Sequence, residues 1–186
     1  MTIRIIGGEL KGRKLVTVPG MKTRPTADRV RESIFNILGE RVQGASVLDL
    51  FAGTGAMGIE ALSRGAESAL FIDDNPAALS ALTKNIKNCS LENRTRAIKW
   101  NILKNLDILR AAQPAHNLVF IDPPYNQGML RPALINLGLS RCLKNGAMVV
   151  IEHSTREPLA ENPAGFNMSD QRRYGKTLVS FLIGMI

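Results

Sequence analysis

Asp122, Pro123, Pro124 and Tyr125 stand together in the run LVFIDPPYN, residues 118–126, directly after a short apolar stretch. The two prolines remove two backbone N–H donors and stiffen the turn. What remains is a set of acceptors, the carbonyl oxygens and the Asp122 carboxylate, suited to a group that donates two hydrogens such as an exocyclic NH2. Tyr125 adds a flat face on which a nucleic-acid base can stack. The competing reading is a rigid proline turn with Tyr125 packed as core.

A second constellation lies upstream in VLDLFAGTGAMG, residues 47–58. Gly53, Gly55 and Gly58 are spaced Gly-x-Gly-x-x-Gly between an apolar run and a helix-forming stretch. In that setting the glycines let the backbone approach a ligand closely and let the following helix pack on a sheet. A tight turn with no ligand would use the same residues. Asp73 follows the next apolar run, and its carboxylate can accept hydrogen bonds from both hydroxyls of a ribose. An acid at this distance past the glycines fits any adenosine-containing cofactor, so it does not separate a nicotinamide dinucleotide from S-adenosylmethionine.

These residues need a scaffold that brings strand ends together. Residues 3–18 read as a short basic hairpin with turns at Gly7, Gly8 and Gly12. Thr26, after Pro25, fits a helix N-cap; Val30, Ile34, Ile37 and Leu38 share one helical face, and Gly39 ends it. From residue 46 strands and helices alternate. Strands are expected at Ser46–Leu50, Ala69–Ile72, Arg96–Trp100, Leu118–Ile121 and Ala147–Ile151. Helices are expected at Gly58–Arg64, from Pro76, near Leu103–Ala111 and near Met129–Cys142, and a closing hairpin pairs Met168–Tyr174 with Thr177–Ile183. This order predicts an α/β fold: a mostly parallel seven-stranded, Rossmann-like sheet in three layers, with a C-terminal antiparallel hairpin and a small basic N-terminal hairpin and helix. Residues 1–186 are read as one domain. In such sheets ligands bind beyond the carboxyl ends of the strands, where all three chemical sites fall.

The net charge of +8 is unevenly placed. Residues 1–31 carry eight Lys and Arg against Glu9 and Asp28, a net of +6. That end suits a polyanionic partner, with Lys11, Arg13, Lys14, Arg24, Arg29 and Arg31 as candidate backbone contacts; the alternative is a solvated basic face. Cys89 and Cys142 read as buried thiols, and with His116 and His153 they form no cluster at metal-ligand spacing, so no metal is expected. The start, MTIRIIGG, lacks a signal-peptide core, and no apolar run is long enough to span a bilayer. A cytoplasmic location is expected. His153, beside Glu152, reads as an edge histidine outside the chemistry.

DPPY is similar to the catalytic motif of amino-methyltransferases, and DLFAGTG looks like their cofactor loop. Together with TRPTADRVRESIFNIL, residues 23–38, the chain resembles the bacterial small-subunit ribosomal RNA guanine-N2 methyltransferase family over nearly its whole length. The resemblance implies S-adenosylmethionine as cofactor and ribosomal RNA, within a small-subunit particle, as the partner of a monomer. It implies that Asp49, Ala52, Gly53 and Gly55 border the amino-acid end of the cofactor, that Asp73 holds its ribose, and that Asn101 and Ile102 border its adenine. Asp122, Pro123, Pro124 and Tyr125 would then hold the target base. The chain departs from the family pattern at Asn101, where an acid is frequent, and at Asp73, where Glu is frequent.

Other readings stay open on sequence alone. A nicotinamide-linked oxidoreductase would share the glycine loop, but few residues follow DPPY and a nicotinamide has no use for that turn. A DNA adenine-N6 or a protein-glutamine methyltransferase would use a related proline motif. A non-catalytic RNA-binding assembly factor could retain the fold; the intact cofactor loop and DPPY turn argue against it.

Overall fold

The structure is a computed structural model that describes residues 3–18, 26–109, 116–160 and 163–184. Two short strands, β1 (Ile3–Arg4) and β2 (Lys14–Leu15), pair antiparallel, so the basic hairpin is present but minimal. Helix α1 follows (Thr26–Leu38), then β3 (Ser46–Leu50), α2 (Ala56–Ser63), β4 (Ser68–Asp73), α3 (Pro76–Asn88) and β5 (Thr95–Lys99). The second half contains β6 (His116–Ile121), α4 (Leu130–Ser140), β7 (Leu143–Ser154), β8 (Phe166–Tyr174) and β9 (Thr177–Gly184).

Strands β3 to β9 form one seven-stranded sheet in the order β5-β4-β3-β6-β7-β9-β8. Neighbours from β5 to β7 run parallel; β9 is antiparallel to both β7 and β8. Alternation of side chains along each strand feeds two cores. Val47, Phe71, Leu118, Phe120 and Val150 point to the face covered by α1, α2 and α3. Leu48, Leu50, Ile72, Val119 and Ile121 point to the face covered by α4, with its Leu130, Leu134 and Leu137. Both faces are buried, which is why β3 and β6 read as nearly continuous apolar runs rather than as alternating patterns.

Local chemistry fixes the element ends. Asn75 caps α3, its Oδ1 accepting from the amides of Ala77 (2.9 Å) and Ala78 (3.4 Å), with Pro76 in the first turn. Helix α2 begins at Ala56, two residues earlier than the expected Gly58, because Gly55 takes a left-handed conformation (φ 81°) and turns the loop into the helix at once.

One expected helix does not form. Between Leu103 and Leu109 the chain makes a turn and a short 3-10 segment at Asp107–Leu109; residues 110 and 111 lie outside the described residues. Asn101 Oδ1 accepts from the amides of Leu103 (3.0 Å) and Lys104 (3.2 Å), and Asn105 Oδ1 from that of Asp107 (3.2 Å). These side chains take up the N–H groups a helix would have pointed along its axis. His153 is also not at an edge. It is buried on the interior strand β7, with Nε2 2.8 Å from the Ser180 hydroxyl and Nδ1 2.8 Å from the Glu157 carbonyl.

Candidate active site

The glycine loop leaves the end of β3 and turns into α2. Phe51, Gly53 and Gly55 all have positive φ (57°, 55° and 81°), which coils the backbone tightly over the strand ends. Ala52 donates its N–H to the Ile72 carbonyl (3.1 Å) and Gly55 donates to Ala52 (2.7 Å). Two carboxylates brace the loop from beneath. Asp49 Oδ2 accepts from the Gly58 amide (2.9 Å), and Asp73 Oδ2 accepts from the Gly53 amide (2.8 Å). Burial lifts the Asp49 carboxyl to about 8; the Gly58 N–H opposes that rise and the Asp73 charge adds to it.

Two of the glycines are required sterically. A Cβ at Gly55 would lie 2.4 Å from Leu82 Cδ1, and one at Gly58 would lie 2.3 Å from the Phe71 ring and 3.1 Å from Asp49 Oδ2. The loop thus presses directly on α3 and β4.

Beside the loop, at the ends of β4 and β5, an open hollow of about 310 Å³ is lined by Asp74, Lys99, Trp100, Asn101 and Lys104. Asn101 Nδ2 lies 3.4 Å from Asp74 Oδ2, so an acid does stand at the position where Asn101 itself supplies none. Sequence reasoning does not single out Asp74. Ile102 turns its side chain into the core below, 3% exposed, and its carbonyl accepts from Asn136 Nδ2 (2.8 Å), so it does not line the hollow. The residues present fit an adenosyl cofactor. Buried Asp49 and the coiled loop stand at the β3 end, Asp73 at the β4 end, and an indole, an amide and an acid around the hollow.

The DPPY turn stands next to this loop for a topological reason. Strands β3 and β6 are parallel neighbours with Leu50 opposite Ile121, so Phe51 and Asp122 leave the sheet side by side. Asp122 and Pro124 are exposed and Pro123 is buried. The half-buried Tyr125 hydroxyl donates to Glu152 Oε1 (2.6 Å) and lies 3.3 Å from the Thr177 hydroxyl. Burial, followed by the Glu152 carboxylate, raises the Tyr125 phenol far above its ordinary value, so it remains a protonated donor. Glu157 holds the far side of the turn, accepting from the amides of Asn126 (2.5 Å) and Gly128 (2.9 Å). The turn is therefore clamped at both its phenol and its backbone.

Among the candidate RNA contacts, Lys11, Arg13, Lys14 and Arg29 are exposed, and Arg24 lies outside the described residues. Arg13 Nη1 donates to the Asn88 carbonyl, which ties part of its charge to α3. Arg31 is a correction. It is only 5% exposed, its Nη2 binds Asp28 Oδ1 (3.0 Å) and the Arg4 carbonyl (2.6 Å), and its Nε stands 3.7 Å from Glu60 Oε2. A cation so enclosed is an internal tie, not a phosphate contact.

Several residues that shape the site escape sequence reasoning. Glu60, fully buried on α2, accepts from the amides of Ile6 and Gly7 (both 2.8 Å) and from Arg64 Nε (2.7 Å). Asn85, fully buried on α3, pairs with both backbone groups of Val16 (2.7 and 3.0 Å) and donates to the Thr54 carbonyl in the glycine loop (2.9 Å). A polar residue on an otherwise apolar helix face is the available signal in both cases. Glu152 and Glu157 carry no local signal at all.

Known proteins are similar to this chain in sequence and in fold. A family model described as Conserved hypothetical protein 95 matches residues 3–183. Ribosomal RNA small subunit methyltransferase D of Escherichia coli (strain K12) is 36% identical over 174 residues, covering 94% of this chain and 86% of that one. The protein of the same name from Haemophilus influenzae is 35% identical over 161 residues, covering 84% and 81%. In structure, the Escherichia coli protein yhhF superposes with a TM-score of 0.85 at 34% identity, covering 100% of this chain and 99% of that one. The T. thermophilus 16S rRNA N2 G1207 methyltransferase, solved with AdoMet and guanosine, shares the fold at 21% identity, with a TM-score of 0.73 over 99% of this chain and 50% of that one. The chain therefore belongs to the family of the Conserved hypothetical protein 95 model and of ribosomal RNA small subunit methyltransferase D, and it is a methyltransferase of Rossmann-like fold.

Proposed function

We propose that the chain methylates the exocyclic N2 amine of a guanine in small-subunit ribosomal RNA, acting as a cytoplasmic monomer on RNA within a ribosomal particle. One observation carries this reading: the acceptor-rich DPPY turn and the glycine loop leave adjacent parallel strands at the same level, with Leu50 paired to Ile121. A base amine held by the first is thereby next to a cofactor held by the second. The names of the relatives supply the RNA class, and the N2 position rests on the acceptor geometry and on the family resemblance.

Bound S-adenosylmethionine supplies an electrophilic methyl group on a sulfonium. The chain's own residues supply orientation and electrostatics. A paired amine cannot reach the methyl, so the base must leave its stack. Tyr125 then stacks on it, with the ring held by the Glu152 and Thr177 contacts. Asp122 and the Pro123 carbonyl accept the two amino hydrogens, which draws the nitrogen lone pair out of conjugation and toward the methyl. Asp49 and the loop around Ala52, Gly53 and Gly55 border the amino-acid end of the cofactor. Asp73 borders the ribose, and Asn101, with Asp74, borders the adenine.

The test is transfer of tritium from labelled S-adenosylmethionine to ribosomal RNA, offered naked and as small-subunit particles, followed by digestion to nucleosides. Label is expected in N2-methylguanosine, and more of it from the particle. Label in an adenosine, or no label in RNA alongside label in DNA, would overturn the reading.

A further inference from the structure

A second cavity, of about 230 Å³, opens beside Tyr125 and Asn126 at the end of the DPPY turn and shares no lining residue with the hollow assigned to the cofactor. It is lined by Tyr125, Asn126, Ser154, Thr155, Arg156 and Lys176. Two turns build it. One follows β7 and the other joins β8 to β9, and they are tied where the Thr155 amide donates to the Lys176 carbonyl (3.1 Å). Ser154 closes the first turn on itself, its hydroxyl accepting from the Arg156 amide (3.2 Å).

The charged side chains that line this cavity are of one sign. Both ionised residues in its lining are cations, and both are exposed. Neither Arg156 nor Lys176 enters an ion pair among the described residues. The acids nearest to Arg156 in sequence, Glu152 and Glu157, face the DPPY turn, accepting from the Tyr125 hydroxyl and from the Asn126 and Gly128 amides. A concave site with two cations that enter no ion pair among the described residues, two aliphatic hydroxyls and an exposed amide side chain matches a phosphodiester, which offers oxygen acceptors and one negative charge.

We propose that Arg156 and Lys176, with Ser154 and Thr155, form a subsite for the RNA phosphodiester flanking the target nucleotide. The proposal rests on the reading of the DPPY turn as the base-holding site, because the shared lining residue Tyr125 is what places the phosphate beside the base. An anchored phosphate there would fix the nucleotide's backbone on one side of Tyr125 while the base is turned into the pocket. It would thus contribute orientation that the N-terminal basic residues, far along the chain, do not.

The test uses the intact chain and a fluorescein-labelled single-stranded RNA carrying one guanosine, together with the same oligonucleotide whose two phosphodiesters flanking that guanosine are uncharged methylphosphonates. Binding is read by anisotropy over a salt series. Arg156→Gln combined with Lys176→Gln should lower the slope of log affinity against log salt by about 0.7, the value for one single-strand phosphate no longer neutralised. This double variant should also bind the two oligonucleotides alike, whereas the unaltered chain should prefer the fully charged one. Lys84→Gln with Lys87→Gln, exposed cations on α3 outside the cavity, should retain that preference. S-adenosylmethionine affinity, read by calorimetry, should be the same in all three proteins. A double variant that keeps the original salt slope, or that still prefers the charged flanks, overturns the subsite. The nucleoside that receives label in the methyl-transfer assay is read separately. Label outside guanosine would overturn the guanine reading while leaving the salt slope to decide the subsite.

Discussion

Gly53 and Asp73 are joined by a 2.8 Å hydrogen bond from the glycine amide to Oδ2, while Oδ1 of the same carboxylate accepts from the Asn75 amide, also at 2.8 Å. A single side chain at the end of β4 thus anchors the glycine loop and the entry to α3, and each oxygen keeps a lone pair for a further donor.

Asp73→Ala should therefore have two separable effects. Cofactor affinity should fall by roughly 1–3 kcal/mol as ribose hydroxyls lose their acceptor, and the ligand-free protein should melt lower because two N–H groups lose theirs. Each kcal/mol of the latter corresponds to about 2–4 °C at this chain length. Calorimetry and thermal unfolding measure the two independently; cofactor affinity equal to that of the unaltered chain would remove Asp73 from the cofactor site.

Asp49 gives a pH signature. With its carboxyl raised to about 8 when folded, against an ordinary value of 3.8, the folded chain holds this proton more tightly than the unfolded chain does. Its contribution to stability is complete below the lower value, declines as pH rises between the two, and is level above about 8. The decline is at most about 1.4 kcal/mol per pH unit. Asp49→Asn cannot titrate, so its stability relative to the unaltered ligand-free chain should climb between about pH 5 and about pH 8. Urea unfolding at several pH values would show this, and a difference constant across the range would contradict it.

Asp122→Ala should slow methyl transfer by roughly a hundredfold or more, as the loss of other preorganised polar groups does. Cofactor binding should change little, because Asp122 is exposed at the start of its turn whereas the cofactor loop is braced by Asp49 and Asp73. Single-turnover rates with calorimetry on the same variant separate the two quantities; transfer at the original rate would rule out the role assigned to Asp122.

The exposed N-terminal cations should grip RNA backbone without choosing the base. Neutralising Lys11, Arg13 and Lys14 to Gln should reduce the salt slope of RNA binding by about 0.7 to 0.9 for each phosphate that is no longer neutralised. The smallest share should come from Arg13, whose guanidinium also binds the Asn88 carbonyl. The nucleoside methylated should not change. Arg31→Gln should behave differently. It removes one of two cations beside the fully buried Glu60, which keeps Arg64, and leaves the Arg4 carbonyl and Asp28 without their donor, so the loss should appear as roughly 1–3 kcal/mol of stability rather than as a change in salt slope.

Much of this architecture is legible in the sequence because parallel strands covered on both faces must be short and almost wholly apolar. SVLDL, SALFID and HNLVFI stand out between glycine and proline punctuation. The placement of the candidate motifs is legible for the same reason, since the glycine loop and DPPY follow the ends of β3 and β6 directly. The pairings made by folding are not legible. Arg31 looks like its exposed neighbour Arg29 until Glu60 is brought beneath it. Glu152 and Glu157 look like surface acids until the turn after β6 lies against them. The stretch after β5 departs from its helical pattern because Asn101 and Asn105 bind nearby amides locally, which outweighs that pattern.

The burial of Glu60 makes the first residues of the chain and the cofactor helix one heritable unit. Its two oxygens accept from the Ile6 and Gly7 amides, and the adjoining backbone is so close that a Cβ at Gly8 would lie 1.8 Å from the Ser63 carbonyl oxygen. An insertion or deletion in that stretch would take two amide donors from a fully buried carboxylate, leaving it to Arg64 and Arg31, and be felt in α2, directly behind the glycine loop. The basic arm is thus not an appendage that can be exchanged freely between relatives. A change there requires a matching change at residue 60, so the surface proposed to meet the RNA and the helix that backs the cofactor loop are constrained to diverge together.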